Sequence, residues 1–179
     1  SGLSKWTRLH LSNQAMQTLL FVPLLAQGEL IGCIELLSRS VRSFSPYDIE
    51  LMQVIARQTA VLQHHLKRLG IGEGDRVVAY LPNIPEAIIA CLATVSLGAI
   101  WSSASPDFGS KAVLDRFAQI EPKLLITVDG YRYNGRPFDR RDIVTQLQAG
   151  LPSLEHTIAI PLLDAAPLPN TLAWPALLA

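Results

Sequence analysis

The stretch Asp75–Gly109, DRVVAYLPNIPEAIIACLATVSLGAIWSSASPDFG, decides the fold. Val77-Val78-Ala79-Tyr80-Leu81 is a continuous apolar run, the pattern of a parallel strand covered on both faces. Asn83, with Glu86 three residues on, reads as a cap for a helix whose body is Ala87 to Leu97 and which Gly98 closes. Ala99-Ile100-Trp101-Ser102-Ser103 is a second short strand, and Ala104 to Gly109 is a loop. The same grammar continues downstream. A helix is expected over 110–120, stopped by Pro122, and a strand over 123–128. A polar loop follows over 129–139, then a helix over 140–149 with Gly150 as terminator, then a strand over 156–161. Strand and helix alternating through four strands predict an α/β unit with a parallel sheet. Residues 162–179, rich in Ala, Leu and Pro, read as loop with a short helical turn near Trp174.

Upstream the period differs. Residues 1–13 are polar and mixed, and read as a loop or frayed end. Residues 18–37 form two apolar runs separated by Ala26-Gln27-Gly28-Glu29, a hairpin signal, with Gly32 placed for a bulge or close backbone approach. A helix then starts with Ser45 as cap, Pro46 at its first position and Asp48 at its third. Its stripe is Ile49, Met52, Ile55, Ala56, Ala60 and Leu62, and it extends to about Leu69. Gly70, Gly72 and Gly74 lie between that helix and the next strand, so they read as a turn and not as a phosphate cradle. The grammar therefore divides the chain into 1–69 and 70–179.

Composition limits what these elements can do. The 179 residues are 49% hydrophobic and 17% charged, enough for a core. Fifteen basic side chains balance fifteen acidic ones, so no nucleic-acid partner is expected. No apolar run approaches the roughly 18 residues of a membrane span, and no signal peptide is evident, so the expectation is a cytoplasmic protein. Cys33 and Cys91 sit in apolar runs and read as two buried thiols. His64 and His65 are adjacent on a helix and point apart, while His10 and His156 stand alone, so no metal site is expected.

Two segments carry candidate chemistry, and both leave the carboxyl ends of strands, where open α/β sheets bind ligands. The first is Ser102 to Gly109, with small hydroxyls and a helix start beyond it. The second is Tyr131 to Arg141, which sets Arg132, Arg136, Arg140 and Arg141 against Asp139. Four arginines beside aromatic rings can clamp phosphates and stack a base. A plain connection and a solvated surface loop are the alternatives.

Residues 66–164 resemble the amino-terminal part of the AMP-forming, acyl-activating ligases, within them the acetoacetyl-CoA synthetase family. The strings are LKRLGIGEGDRVVAYLPNIPEAIIACLATVSLGAIWSSASPDFG, VLDRFAQIEPKLLITVDGYRYNGRPFDRR and LPSLEHTIAI. The resemblance implies a parent reaction in which ATP and acetoacetate give an acyl-adenylate and pyrophosphate. The CoA thiol then displaces AMP. Cofactors implied for the parent are CoA and ATP with magnesium. The resemblance places part of the CoA nucleotide near Phe108, Gly109, Arg132 and Arg136. The family's serine/threonine- and glycine-rich phosphate loop with its lysine is not among these 179 residues. A truncated ligase that is inactive alone is therefore the expectation, with CoA or nucleotide-fragment binding retained.

Residues 18–65, with the string FVPLLAQGELIGCIELLSRSVRSFSPYDIELMQVIARQTAVLQHH, instead resemble the carboxyl-terminal part of a GAF domain. That resemblance implies a small-molecule sensing or dimerisation module of a signalling protein. Together the two halves predict a partial parallel-sheet ligase subdomain preceded by a hairpin and long helix of GAF type. Self-association through the 46–69 helix or a bare sheet edge is a further expectation.

Overall fold

A computed structural model describes residues 17–26, 28–163 and 167–174. The expectations for residues 1–13, for Gln27 and for the end of the tail from 175 onward lie outside the described residues. The chain divides into two compact units, Ser1–Ala60 and Val61–Ala179.

In the first unit, β1 (Thr18–Ala26) pairs antiparallel with β2 (Glu29–Ser38). The strands run closer to the turn than the four-residue separator suggested, and Gly28 takes a left-handed φ of 86°. The register shifts between Leu24 and Leu25, opposite Gly32 and Leu30, so the bulge expected at Gly32 falls beside it. Leu20, Val22 and Leu24 alternate inward on β1. They meet Met52 and Ala56 of α1 (Pro46–Arg68) together with Ile31 and Ile34 of β2. Cys33 points the other way and is exposed, and Cys91 is only partly buried, which corrects the reading of two buried thiols. Strand alternation is the reason: with Ile34 inward, its neighbour Cys33 faces out.

The start of α1 is the capping box that its sequence announces. Ser45 N–H donates to Asp48 Oδ2 at 2.9 Å, and Asp48 N–H donates back to Ser45 Oγ at 3.1 Å. Its end, in the second unit, is a Schellman motif. Ile71 N–H reaches the Leu66 carbonyl and Gly70 N–H the Lys67 carbonyl, both at 3.0 Å, with Gly70 at φ 78°.

The second unit holds a parallel sheet of five strands: β3 (Arg76–Tyr80), β4 (Ile100–Ala104), β5 (Leu124–Val128), β8 (His156–Ile160) and β9 (Leu172–Ala173). Their order is β4-β3-β5-β8-β9. Four strands were expected. The fifth, β9, is two residues long, too short for a periodicity to betray it. Between β3 and β4 runs α2 (Pro85–Val95), and between β4 and β5 runs α3 (Ser110–Phe117) with a 3-10 turn to Ile120. Ahead of β8 comes α4 (Arg141–Gly150).

Side chains alternate across β3, so the two faces have separate cores. Val78, Tyr80 and Leu125 join Val113 and Phe117 of α3 and Val144 and Leu147 of α4. On the other face runs α2, whose buried residues are Ile89, Ala90, Ala93 and Thr94, and Ala79, Trp101 and Ser103 line a cleft with its Ala87, Ile88 and Cys91. Helices thus cover both faces, and that is why β3 after Arg76, and β5 apart from the buried Thr127, are apolar.

Two helix ends differ from expectation. The cap of α2 is Ile84, extended at φ −125° and ψ 158° with no side-chain cap, not Asn83. Pro85 decides this, because its ring suits the first helical turn and forces the residue before it to be extended. Gly150 is the last helical residue and has no positive φ. A Cβ there would lie 2.7 Å from Leu114 Cδ2 of α3, so its smallness serves the close approach of α3 and α4.

The amino-terminal edge of this sheet is closed by polar contacts. Lys123 Nζ donates to the Gly70 carbonyl at 2.7 Å and pairs with Asp75 at 3.3 Å, holding the turn at Gly70 to Gly74. Arg76 Nε donates to the Ile120 carbonyl at 2.7 Å. The opposite, carboxyl-terminal edge carries the candidate loops.

Candidate functional site

From β3 the chain passes to β4 on one side and then returns to β5 on the other. That reversal makes the ends of β3 and β5 a topological switch point, with a crevice where α/β sheets take ligands. Tyr80, the last residue of β3, stands beneath it and is fully buried. Its hydroxyl lies 2.9 Å from the Pro106 carbonyl and 2.7 Å from the Phe108 carbonyl, to which it donates. Burial pushes its ionisation up to about 12. Above it the loop turns tightly. Ser105 Oγ donates to Asp107 Oδ2 at 2.9 Å and accepts from Asp107 N–H at 3.3 Å.

After β5, the segment read as a polar loop is a hairpin, β6 (Gly130–Tyr133) and β7 (Arg136–Asp139). Asn134 and Gly135 take φ of 48° and 75°, the pair of left-handed residues that a two-residue type I′ turn needs. The Asn-Gly dipeptide between Tyr133 and Arg136 was the available signal, outweighed by the charge around it. Tyr131 stacks on Phe138 at 5.3 Å between centroids and 14° between planes. The Arg140 guanidinium lies over both rings, at 5.1 Å and 5.8 Å.

The two loops are joined. Arg140 Nε donates to the Pro106 carbonyl at 2.7 Å, and Nη2 donates to the Tyr131 hydroxyl at 3.1 Å. The Tyr131 hydroxyl in turn donates to Asp107 Oδ1 in a short hydrogen bond. That bond holds the Asp107 carboxyl below the usual carboxylate range and raises the Tyr131 phenol above its own. Asp129, at the corner between β5 and β6, accepts from the N–H groups of Leu162 (2.8 Å) and Leu163 (3.2 Å).

This arrangement corrects the reading of a four-arginine clamp. Arg140 is occupied as described, and Arg141 forms an ion pair with Asp139 whose carboxyl falls to about 2 as a result. Arg132 and Arg136 remain exposed, with no side-chain hydrogen bond or ion pair among the described residues. The register pairs Arg132 with Pro137 and Arg136 with Tyr133, so the two guanidiniums leave opposite faces of the ribbon. Phe108 is 43% exposed with the Arg116 guanidinium 5.1 Å from its ring centroid. Gly109 caps α3 at an ordinary φ of −71°, and a Cβ added to it would meet nothing within 4 Å. Phe108 and Gly109 follow Asp107 directly, so the Tyr131–Asp107 bond sets them beside the hairpin, whose Tyr131 face carries Arg136 and whose other face carries Arg132. Tyr80, Arg116 and the anchoring use of Arg140 were not foreseen, because each depends on a partner more than 20 residues or one element away.

Among the described residues no three His, Cys, Asp or Glu side chains converge as metal ligands. No described helix is long and apolar enough to cross a membrane.

The AMP-binding enzyme family matches residues 55–177. The chain belongs to this family. A GAF domain family matches residues 4–62, so the two matches overlap within α1. Among curated AMP-forming relatives, the acetoacetyl-coenzyme A synthetase of Rhizobium meliloti is 51% identical over 113 residues, covering 63% of this chain and 16% of that one. The acetoacetyl-CoA synthetase of Macaca fascicularis is 42% identical over 123 residues, covering 65% and 18%. The solved structure of acetoacetyl-CoA synthetase from Streptomyces lividans superimposes with a TM-score of 0.68 at 52% identity, covering 70% of this chain and 19% of that chain. The chain thus spans about a fifth of the length of the relatives it matches.

Proposed function

We propose that the parallel-sheet unit is the CoA-nucleotide-holding part of an AMP-forming ligase of acetoacetate. In this reading the rim made by 105–109 and the β6–β7 hairpin takes the phosphate-bearing end of coenzyme A. The observation that carries it is the joining of the two loops at the switch point by Arg140, Tyr131 and Asp107. Phe108 offers a ring face to a base, and Arg132 and Arg136, unpaired among the described residues, offer guanidiniums to phosphate. Room beside Gly109 lets a ligand approach the start of α3, whose first turn carries no acidic side chain.

Residues 1–179 hold no phosphate loop with lysine to bind a triphosphate or stabilise its developing charge. ATP and magnesium therefore have no assigned ligands here, and no ATP–pyrophosphate exchange is expected from this chain alone. Calorimetric titration with coenzyme A tests the reading. Binding is expected, and Arg136→Ala should weaken it by about tenfold, the loss of one charge-assisted hydrogen bond. Absence of binding by the unaltered chain removes the proposal.

The family match over 4–62 favours a second reading for the first unit, a GAF-type sensing or dimerisation module. Sedimentation of the chain with α1 surface substitutions, and titration with cyclic nucleotides, would separate that role from the first.

A further inference from the structure

We propose that Arg140 is a positioning residue that fixes the 105–109 loop against the β6–β7 hairpin, so that Phe108–Gly109 and Arg136, which leaves the ribbon on the Tyr131 face, meet a ligand as one preformed rim. The proposal rests on the coenzyme A reading for its ligand, though not for its mechanics. Arg140 is itself anchored at the base of the hairpin, where its N–H donates to the Asp129 carbonyl at 2.9 Å. From there its guanidinium makes three distinct contacts: Nε to the Pro106 carbonyl at 2.7 Å, Nη1 to the Asp139 carbonyl at 3.1 Å, and Nη2 to the Tyr131 hydroxyl at 3.1 Å. Its flat face covers the stacked Tyr131 and Phe138 rings. A planar fork that donates in several directions while stacking is something a lysine ammonium cannot reproduce.

The loop's other contacts hold it from within and from below. Its own turn is closed by Ser105 and Asp107, and Tyr80 supports it from below through the Pro106 and Phe108 carbonyls. The lateral ties come from the hairpin, through Arg140 on Pro106 and through Tyr131 on Asp107. Those ties fix where Phe108 and Gly109 stand relative to the hairpin face that carries Arg136. A rim fixed before binding spares the ordering cost that a loose loop would add.

The test uses the full 179-residue chain with Arg140→Gln, Arg140→Lys and Tyr131→Phe, reading coenzyme A affinity by calorimetry and hydrogen exchange by residue. Arg140→Gln is expected to weaken coenzyme A about tenfold and to speed exchange at Phe108 and Gly109, with β3 and β5 still protected. Arg140→Lys should restore only part of the affinity. Tyr131→Phe keeps the ring stack and should loosen the same amides, which covers the case of an Arg140 variant that fails to fold. Unaltered affinity and unaltered exchange at 105–109 in Arg140→Gln overturn the proposal. Should the unaltered chain bind no coenzyme A, the functional reading falls, and exchange decides alone: faster exchange upholds the anchoring and unchanged exchange overturns it.

Discussion

Tyr80 shows how one residue can belong to both core and site. Its ring fills the cluster beneath α3 and α4, and its hydroxyl is the contact that the 105–109 loop rests on. Tyr80→Phe keeps the ring and is expected to cost about 1 kcal/mol in chemical denaturation, the net value of an ordinary hydrogen bond. The pH dependence follows from the same burial. The folded phenol ionises at about 12 against 10.0 for a free one, so its contribution to stability is complete below pH 10 and is lost as pH rises toward 12. A phenolate absorbance titration should find this tyrosine last to ionise. Gly130 is the second residue with a sharp expectation. A Cβ there would collide with the Phe138 carbonyl and the Leu163 side chain. Gly130→Ala should therefore lower stability by about 1–3 kcal/mol, read from the denaturation midpoint.

At the scale of elements, local chemistry was legible at the start of α1, where both partners sit within four residues. Ser45-Pro46 with Asp48 announced the start of α1, and the box is present with both reciprocal bonds. Ser45→Ala should cost about 1 kcal/mol, visible as a lower midpoint and reduced helicity over the first turns. Asn83 was outcompeted by Pro85, whose fixed backbone moved the helix start. Gly150 carries a tertiary reason inside a local-looking signal: its neighbour is Leu114 of another helix. The β6–β7 hairpin was the largest element missed. Its Asn-Gly turn is local, but what holds the ribbon is the Tyr131–Phe138 stack under a guanidinium drawn from outside it.

At the scale of the second unit, β4 is an edge strand, and α2 beside it turns Ile88 and Val95 outward, 53% and 49% exposed. Ile88 and Trp101 line a cleft of about 440 Å3 between α2 and β4, and Ile100 on that edge strand is 51% exposed, so apolar side chains stand beside an edge strand. Concentration-dependent association is expected in sedimentation, and Ile88→Glu should suppress it without altering the thermal transition. A monomer at all accessible concentrations would contradict this.

The amino-acid sequence by itself determined the four helices and the strands β1 to β5 and β8, though not β6, β7 or β9, because periods of 2 and 3.6 are local quantities. It also placed Phe108, Gly109, Arg132 and Arg136 on connections leaving strand carboxyl ends. The order β4-β3-β5-β8-β9, the switch point it creates, and the use of Arg140 to tie the two loops together while Arg132 and Arg136 face solvent were decided only by the tertiary structure. The physical reason is distance along the chain. Tyr80 and Phe108, Arg140 and Pro106, and Tyr131 and Asp107 are each separated by more than 20 residues, and only the packed sheet brings their donors and acceptors within reach.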